Sequence, residues 1–137
     1  MSIIPSKIIG VPITLSKKGA VVRKAVDKTL ASKILRTVHA HEGFWFHKAT
    51  GDFTGKNATS LNDFAKMLRL VEVQSIDFPF SRGDFRRWIQ LIIGDIDLAI
   101  RINRIPQDTR GEKLRKDLIR AVDERIVELK KVYHIKL

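Results

Sequence analysis

The stretch Ser81–Ile105, SRGDFRRWIQLIIGDIDLAIRINRI, decides how the rest of this chain is read. It reads as two consecutive helices. Ser81 stands three residues before Asp84, the S-x-x-D order in which a hydroxyl and a carboxylate satisfy the orphan N–H groups of a helix start. Phe85, Trp88, Ile89 and Ile92 follow at helical spacing. Gly94 fits the left-handed position just past a helix end, and Asp95 can cap the next helix. That second helix carries Ile96, Leu98, Ala99, Ile100, Ile102 and Ile105, apolar around much of its girth, so burial is expected. Pro106 stops it. The pair forms the centre of the expected core, with Trp88 its largest single piece.

Downstream, Thr109-x-x-Glu112 repeats the capping pattern and opens a last helix over about Arg110–Tyr133. Leu114, Leu118, Ala121, Val122, Ile126, Leu129, Val132 and Tyr133 mark its apolar stripe at steps of three and four. At about 1.5 Å per residue it reaches roughly 35 Å. Packing along the domain is the plain use of that stripe; a partner helix or a homodimer seam is the other. Upstream, Ser60 with Asp63 opens a helix whose Leu61, Phe64, Ala65, Met67 and Leu68 face inward. Between these helices, Ile76, Phe78 and Phe80 alternate as in a strand, while Val73, Ile76 and Phe80 also fit a helical stripe; Pro79 opposes a helix interior and a central strand, so Val71–Phe80 is expected to be a short edge strand or extended connector. Phe44–Lys48 reads as a strand with Phe44 and Phe46 on one face and Trp45 and His47 on the other. Thr50–Thr59 reads as a loop. Asp27 to about Ala40 reads as a helix with Leu30, Ala31, Ile34, Leu35 and Val38 inward. Ile13–Leu15, a turn Ser16–Gly19 and Ala20–Val22 suit a hairpin, with an extended arm as the alternative. The expected class is α+β and mostly helical: four to five helices with a small antiparallel sheet or hairpin. Residues 1–24 form a basic arm or hairpin and 25–137 a single domain.

The same residues carry a resemblance. Arg82-Gly83-Asp84-Phe85, Trp88-Ile89, Gly94-Asp95 and Leu98-Ala99 resemble the signature of a small prokaryotic domain family of unknown function. Earlier elements of that pattern are matched by Phe44-Trp45-Phe46, Thr54-Gly55 and Ala58-Thr59-Ser60-Leu61, and a later one by Gly111-Glu112-Lys113-Leu114-Arg115. The resemblance covers roughly residues 33 to 129. It implies a mixed, mostly helical domain and brings no established activity. The family often has a histidine before the Arg-Gly-Asp run; Phe80 precedes it here, so a role resting on that histidine does not carry over.

Composition narrows the chemistry. The 137 residues include no cysteine, which removes disulfides and thiolate chemistry and fits a reducing compartment. The opening MSIIPSKIIGVPITL lacks the charged start and long apolar run of a secretory signal, and no apolar run reaches bilayer length. A cytoplasmic, non-membrane protein is expected. Sparse Gln and Asn beside abundant Ile, Lys and Arg hint at a thermophilic source. Net charge is +11 and unevenly placed. Residues 1–40 hold eight lysines and arginines against one acid, a local +7, leaving eighteen against fourteen for residues 41–137. Such asymmetry points to a polyanionic partner.

Lys17, Lys18, Arg23, Lys24, Lys28, Lys33 and Arg36 are the candidate phosphate contacts, two at a turn tip and three on the outer face of a helix. Trp45 is the aromatic best placed for exposure in a strand able to stack bases. His39, His41, Glu42 and His47 are close in sequence, but no second cluster completes a metal site, and a helix ending there would splay the imidazoles. Gly51-x-x-x-Gly55-Lys56 is one residue short of a nucleotide-binding loop, with Asn57 where Ser or Thr is needed; a turn holding an anion is the weaker version. Asp84 of the Arg-Gly-Asp run reads as a helix cap rather than an adhesion signal. No nucleophile–base pair or cofactor fingerprint is evident, so no catalysis and no cofactor are expected. The expected function is a non-enzymatic binding module for nucleic acid or a ribonucleoprotein, DNA or RNA. The alternative is a protein-interaction or assembly module using the last helix.

Overall fold

The computed structural model describes residues 26–134, together with the backbone of three short strands before them. Those strands are β1 (Lys7–Ile8), β2 (Val11–Leu15) and β3 (Val21–Arg23), joined antiparallel in the order β1-β2-β3. Ile13 lies opposite Arg23, Thr14 opposite Val22 and Leu15 opposite Val21. The turn between Leu15 and Val21 lies outside the described residues.

A mostly helical α+β domain follows. α1 (Lys28–Ile34) opens where the Asp27 carboxylate accepts the Leu30 N–H at 2.8 Å. It ends at Ile34, well short of Ala40, and the extended Val38 donates its N–H to Thr59 O at 2.8 Å. A single 3₁₀ turn, Ala40–Glu42, then leads into β4 (Phe44–Ala49). Its partner β5 (Asp52–Ala58) occupies the stretch expected to be a loop. Few of its residues favour strands by themselves. Pairing with β4 imposes the conformation, with Phe44 opposite Ala58, Trp45 opposite Asn57 and His47 opposite Phe53. Gly51, at φ +77°, supplies the left-handed turn between the strands.

α2 (Leu61–Leu70) starts as read. Ser60 Oγ accepts the Asp63 N–H at 3.0 Å, and the Asp63 carboxylate returns to the Thr59 N–H at 3.1 Å. The next element departs from expectation. Gln74–Arg82 is a helix, α3, with Pro79 inside it. The apolar residues fit both periods, and packing chose between them. As a helix the segment buries Ser75, Ile76, Pro79 and Phe80 together against β4. A strand would have sent Ile76, Phe78 and Phe80 to one face, whereas Phe78 stays half-exposed under the Arg82 guanidinium at 4.8 Å. Ser81 is therefore within a helix, its hydroxyl donating to Phe78 O at 2.7 Å, and caps nothing. Gly83, at φ +76°, makes the break instead. Asp84 makes ion pairs with Arg82 and Arg87 at 3.1 and 2.6 Å rather than a side-chain cap.

α4 (Asp84–Trp88) runs into a π-helical turn, Ile89–Ile93, closed by Gly94 at φ +87°. α5 (Ile96–Asn103) begins on Asp95, which accepts the Leu98 N–H at 3.2 Å. α6 (Gly111–Tyr133) packs on α1, α2, α3 and α5. Its start is not a Thr109 capping box. The Gly111 N–H is taken by the Asp77 carboxylate of α3 at 2.8 Å. Leu114, Leu118, Val122, Ile126 and Leu129 of its stripe are buried inside the domain. Trp88 lies among Phe44, Phe64 and Phe85 in the core and donates its indole N–H to Glu42 O at 2.9 Å.

Candidate nucleic-acid interface

Of the seven basic residues read as phosphate contacts, Lys17, Lys18 and Lys24 lie outside the described residues. Arg23 ends β3, opposite Ile13. Lys28 is the first residue of α1 and exposed. Lys33 and Arg36 have a local role that the sequence did not indicate. Arg36 Nη2 donates to Ile92 O at 2.7 Å, and Nη1 donates to Ile93 O at 3.1 Å and to Lys33 O at 2.7 Å. The exposed Lys33 side chain passes Gly94, its Nζ 3.9 Å from where a Cβ there would stand. Both cations thus gather at the C-terminal end of the α4–π segment. Carbonyls there lack helical partners, and the helix dipole is negative. The Arg36 guanidinium is committed to this end of the fold.

His39 and His41 flank Ala40 in the 3₁₀ turn, both exposed. Their rings are stacked with centroids 5.5 Å apart and planes at 13°. The expected splaying does not occur, because α1 ends before them and the turn brings the rings parallel. His47 lies elsewhere, its Nδ1 3.1 Å from Trp45 O and its ring against Phe53. Among the described residues, no three His, Asp or Glu side chains converge as metal ligands. The Gly51–Lys56 run forms part of the β4–β5 hairpin, and the Lys56 N–H points to Thr54 Oγ1 at 3.2 Å.

The two faces of that hairpin differ sharply. Phe44 and Phe46 are 6% and 0% exposed and pack on Phe64 and Phe85. On the other face Trp45 and Phe53 are 36% and 53% exposed, with ring centroids 5.1 Å apart. His47 joins them at 5.3 Å from Phe53. The sequence does not single out Phe53, because Thr50–Thr59 has the composition of a loop and its pairing with β4 is not encoded locally. The sole signal for Phe53 is an aromatic between two glycines, eight positions after Trp45.

No family model, no curated protein and no solved structure matches this chain.

The remaining charge clusters belong to the architecture. Asp95 and Arg125 are 1% and 5% exposed and make a two-pronged pair, Nε to Oδ2 at 2.8 Å and Nη2 to Oδ1 at 3.0 Å. Arg125 Nη1 also meets Glu128 at 3.2 Å and Asp97 at 3.4 Å. Arg101 completes the cluster with Asp97 at 3.2 Å and Glu128 at 2.7 and 2.9 Å. Burial works against the charge on Arg125, but hydrogen bonding and attraction from Asp95 outweigh it and hold the guanidinium above its ordinary pKa. Hydrogen bonds from Arg101 hold Glu128 below the usual carboxylate range, against partial desolvation. A nearby cleft between Phe80, Arg86, Ile102 and Asn103 encloses about 10 Å³. That is room for one water, not for a metabolite. Among the described residues no helix is long and apolar enough to cross a membrane.

Proposed function

We propose that this protein binds nucleic acid, free or within a ribonucleoprotein, through phosphate contacts from its basic N-terminal segment. The observation that carries this reading is the uneven placement of charge along the chain. Residues 1–40 hold eight lysines and arginines and the single acid Asp27. Asp27 is occupied as the cap of α1. Residues 41–137 come closer to balance, with eighteen cations against fourteen acids, and several carboxylates there lie directly on cations: Glu72 on Lys48, Asp123 on Arg69, Asp117 on Lys113, Glu112 on Arg115 and Asp95 on Arg125. A polyanion would supply the missing negative charge at the front of the chain, with release of condensed counterions as the driving force. Phosphate contacts position a nucleic acid without reading its sequence, so little base preference is expected from this segment.

The test is fluorescence anisotropy with a labelled polynucleotide across a salt series. Affinity should fall linearly in log–log form, with a slope near −0.7 to −0.9 per phosphate contacted. Lys17→Gln with Lys18→Gln should flatten the slope by about one unit per lysine that touches phosphate. Absence of binding at low salt, or binding indifferent to salt, refutes the proposal.

A further inference from the structure

The outer face of the β4–β5 hairpin is an aromatic surface that the core does not use. Trp45, Phe53 and His47 lie ring to ring, with neighbouring centroids 5.1 and 5.3 Å apart. The strand beneath them is held firmly. Phe46 on its reverse side is fully buried, and Phe46 O accepts the Thr54 hydroxyl at 2.8 Å. Asn57, directly opposite Trp45 and hence on the same face, donates to Ala40 O at 3.2 Å. This ties the exposed, stacked His39 and His41 to the Trp45 end of the hairpin. Lys56, the preceding residue of β5, is exposed. Glu42 and Asp52 are the acids at the two ends of the hairpin, and the chain as a whole carries +11.

We infer that this face is a stacking platform for unpaired nucleobases, so that the protein prefers single-stranded nucleic acid to duplex. The inference rests on the nucleic-acid reading above and names the form of nucleic acid. In a duplex each base face is covered by its neighbours, and a flat aromatic surface gains nothing there. In a single strand the faces are free, and every base has one to offer. Charge complementarity selects this occupant. A polyanionic strand is attracted by the net charge of +11 and offers free base faces to Trp45 and Phe53, a combination that an uncharged ring-shaped ligand such as a sugar lacks.

The experiment uses the full chain and three probes: a labelled single strand of about 12 nucleotides, as DNA and as RNA, the duplex of the same length, and inorganic polyphosphate as a base-free polyanion. Trp45→Ala and Phe53→Ala should each weaken single-strand binding roughly 5- to 100-fold. Their salt slopes, and their affinities for duplex and polyphosphate, should stay at the wild-type values. Trp45→Phe keeps a stacking ring and should retain binding within about threefold. Tryptophan emission should be quenched by single strand in the wild type but not in Trp45→Phe, whose remaining Trp88 is 7% exposed. Circular dichroism identifies any variant that fails to fold, and the quench comparison then decides. Salt-dependent binding indifferent to both alanine substitutions overturns the platform and leaves the phosphate reading standing. Failure of the wild type to bind any polynucleotide overturns both.

Discussion

Replacing Arg125 with methionine leaves the Asp95 carboxylate without its two-pronged partner in a position 1% exposed. Methionine fills comparable volume, so the change isolates the charge. A buried ion stripped of its counter-ion costs about 3–5 kcal/mol, a large share of the roughly 5–15 kcal/mol that holds a domain folded. Asp95 keeps one bond, to the Leu98 N–H at 3.2 Å, which places the expected loss near the lower end, about 3 kcal/mol. Asp95→Asn should cost less, about 1.5–3 kcal/mol, because Arg125 retains Asp97 and Glu128 and asparagine can still cap α5. The double variant removes both charges together and should fall well short of the sum, with a coupling of about 2 kcal/mol or more. Urea unfolding of the four proteins, followed by circular dichroism, supplies these values. A loss under about 1 kcal/mol for Arg125→Met, or strict additivity in the double variant, refutes the claim that this pair is coupled in a low-dielectric interior.

Three further outcomes are expected of the same fold. The Glu128 carboxylate is held below its usual pKa by Arg101, so its contribution to stability is complete above the unfolded glutamate value near 4.3 and is lost as pH falls through the lower folded value; Glu128→Gln should flatten this acid limb in urea midpoints measured between about pH 2.5 and 6. Asp77→Ala removes the acceptor of the Gly111 N–H and should destabilise by about 1 kcal/mol in urea unfolding, with Asp77→Asn less affected; an unchanged midpoint in both would deny Asp77 its capping role. The two hairpin faces should respond differently in the same assay, Phe46→Ala losing about 3–5 kcal/mol and Phe53→Ala less than about 1 kcal/mol, and equal losses would mean that the outer ring is part of the core.

Much of the local punctuation was readable from neighbours in the chain. Asp27, Ser60 and Asp95 cap the helices that follow them, and Gly94 takes its left-handed position. Each of these interactions reaches only three or four residues, so the pattern that encodes it lies in one short window. Two windows of the same form misled. Ser81 and Thr109 have the composition of caps, but a cap-like pattern acts only where a helix begins: α3, packed on β4, runs through Ser81, and α6 begins two residues after Thr109 with its first N–H taken by Asp77. Val71–Phe80 satisfied two periods at once, and no neighbour could choose between them. β5 was read as a loop because its strand character is borrowed from β4.

The amino-acid sequence by itself determined the mostly helical class, the apolar residues of the core, three of the helix starts and the cationic front of the chain, since composition, periodicity and short-range hydrogen bonds are properties of adjacent residues. Tertiary structure alone decided that Arg36 caps carbonyls 56 and 57 positions away, that Asp77 caps α6 from 34 positions away, and that Arg125 closes on Asp95 across 30. It also decided that Phe53 joins Trp45 on a face open to solvent. The partner of a charge and the exposure of a ring depend on which distant element packs against them, and that is settled only when the whole core closes.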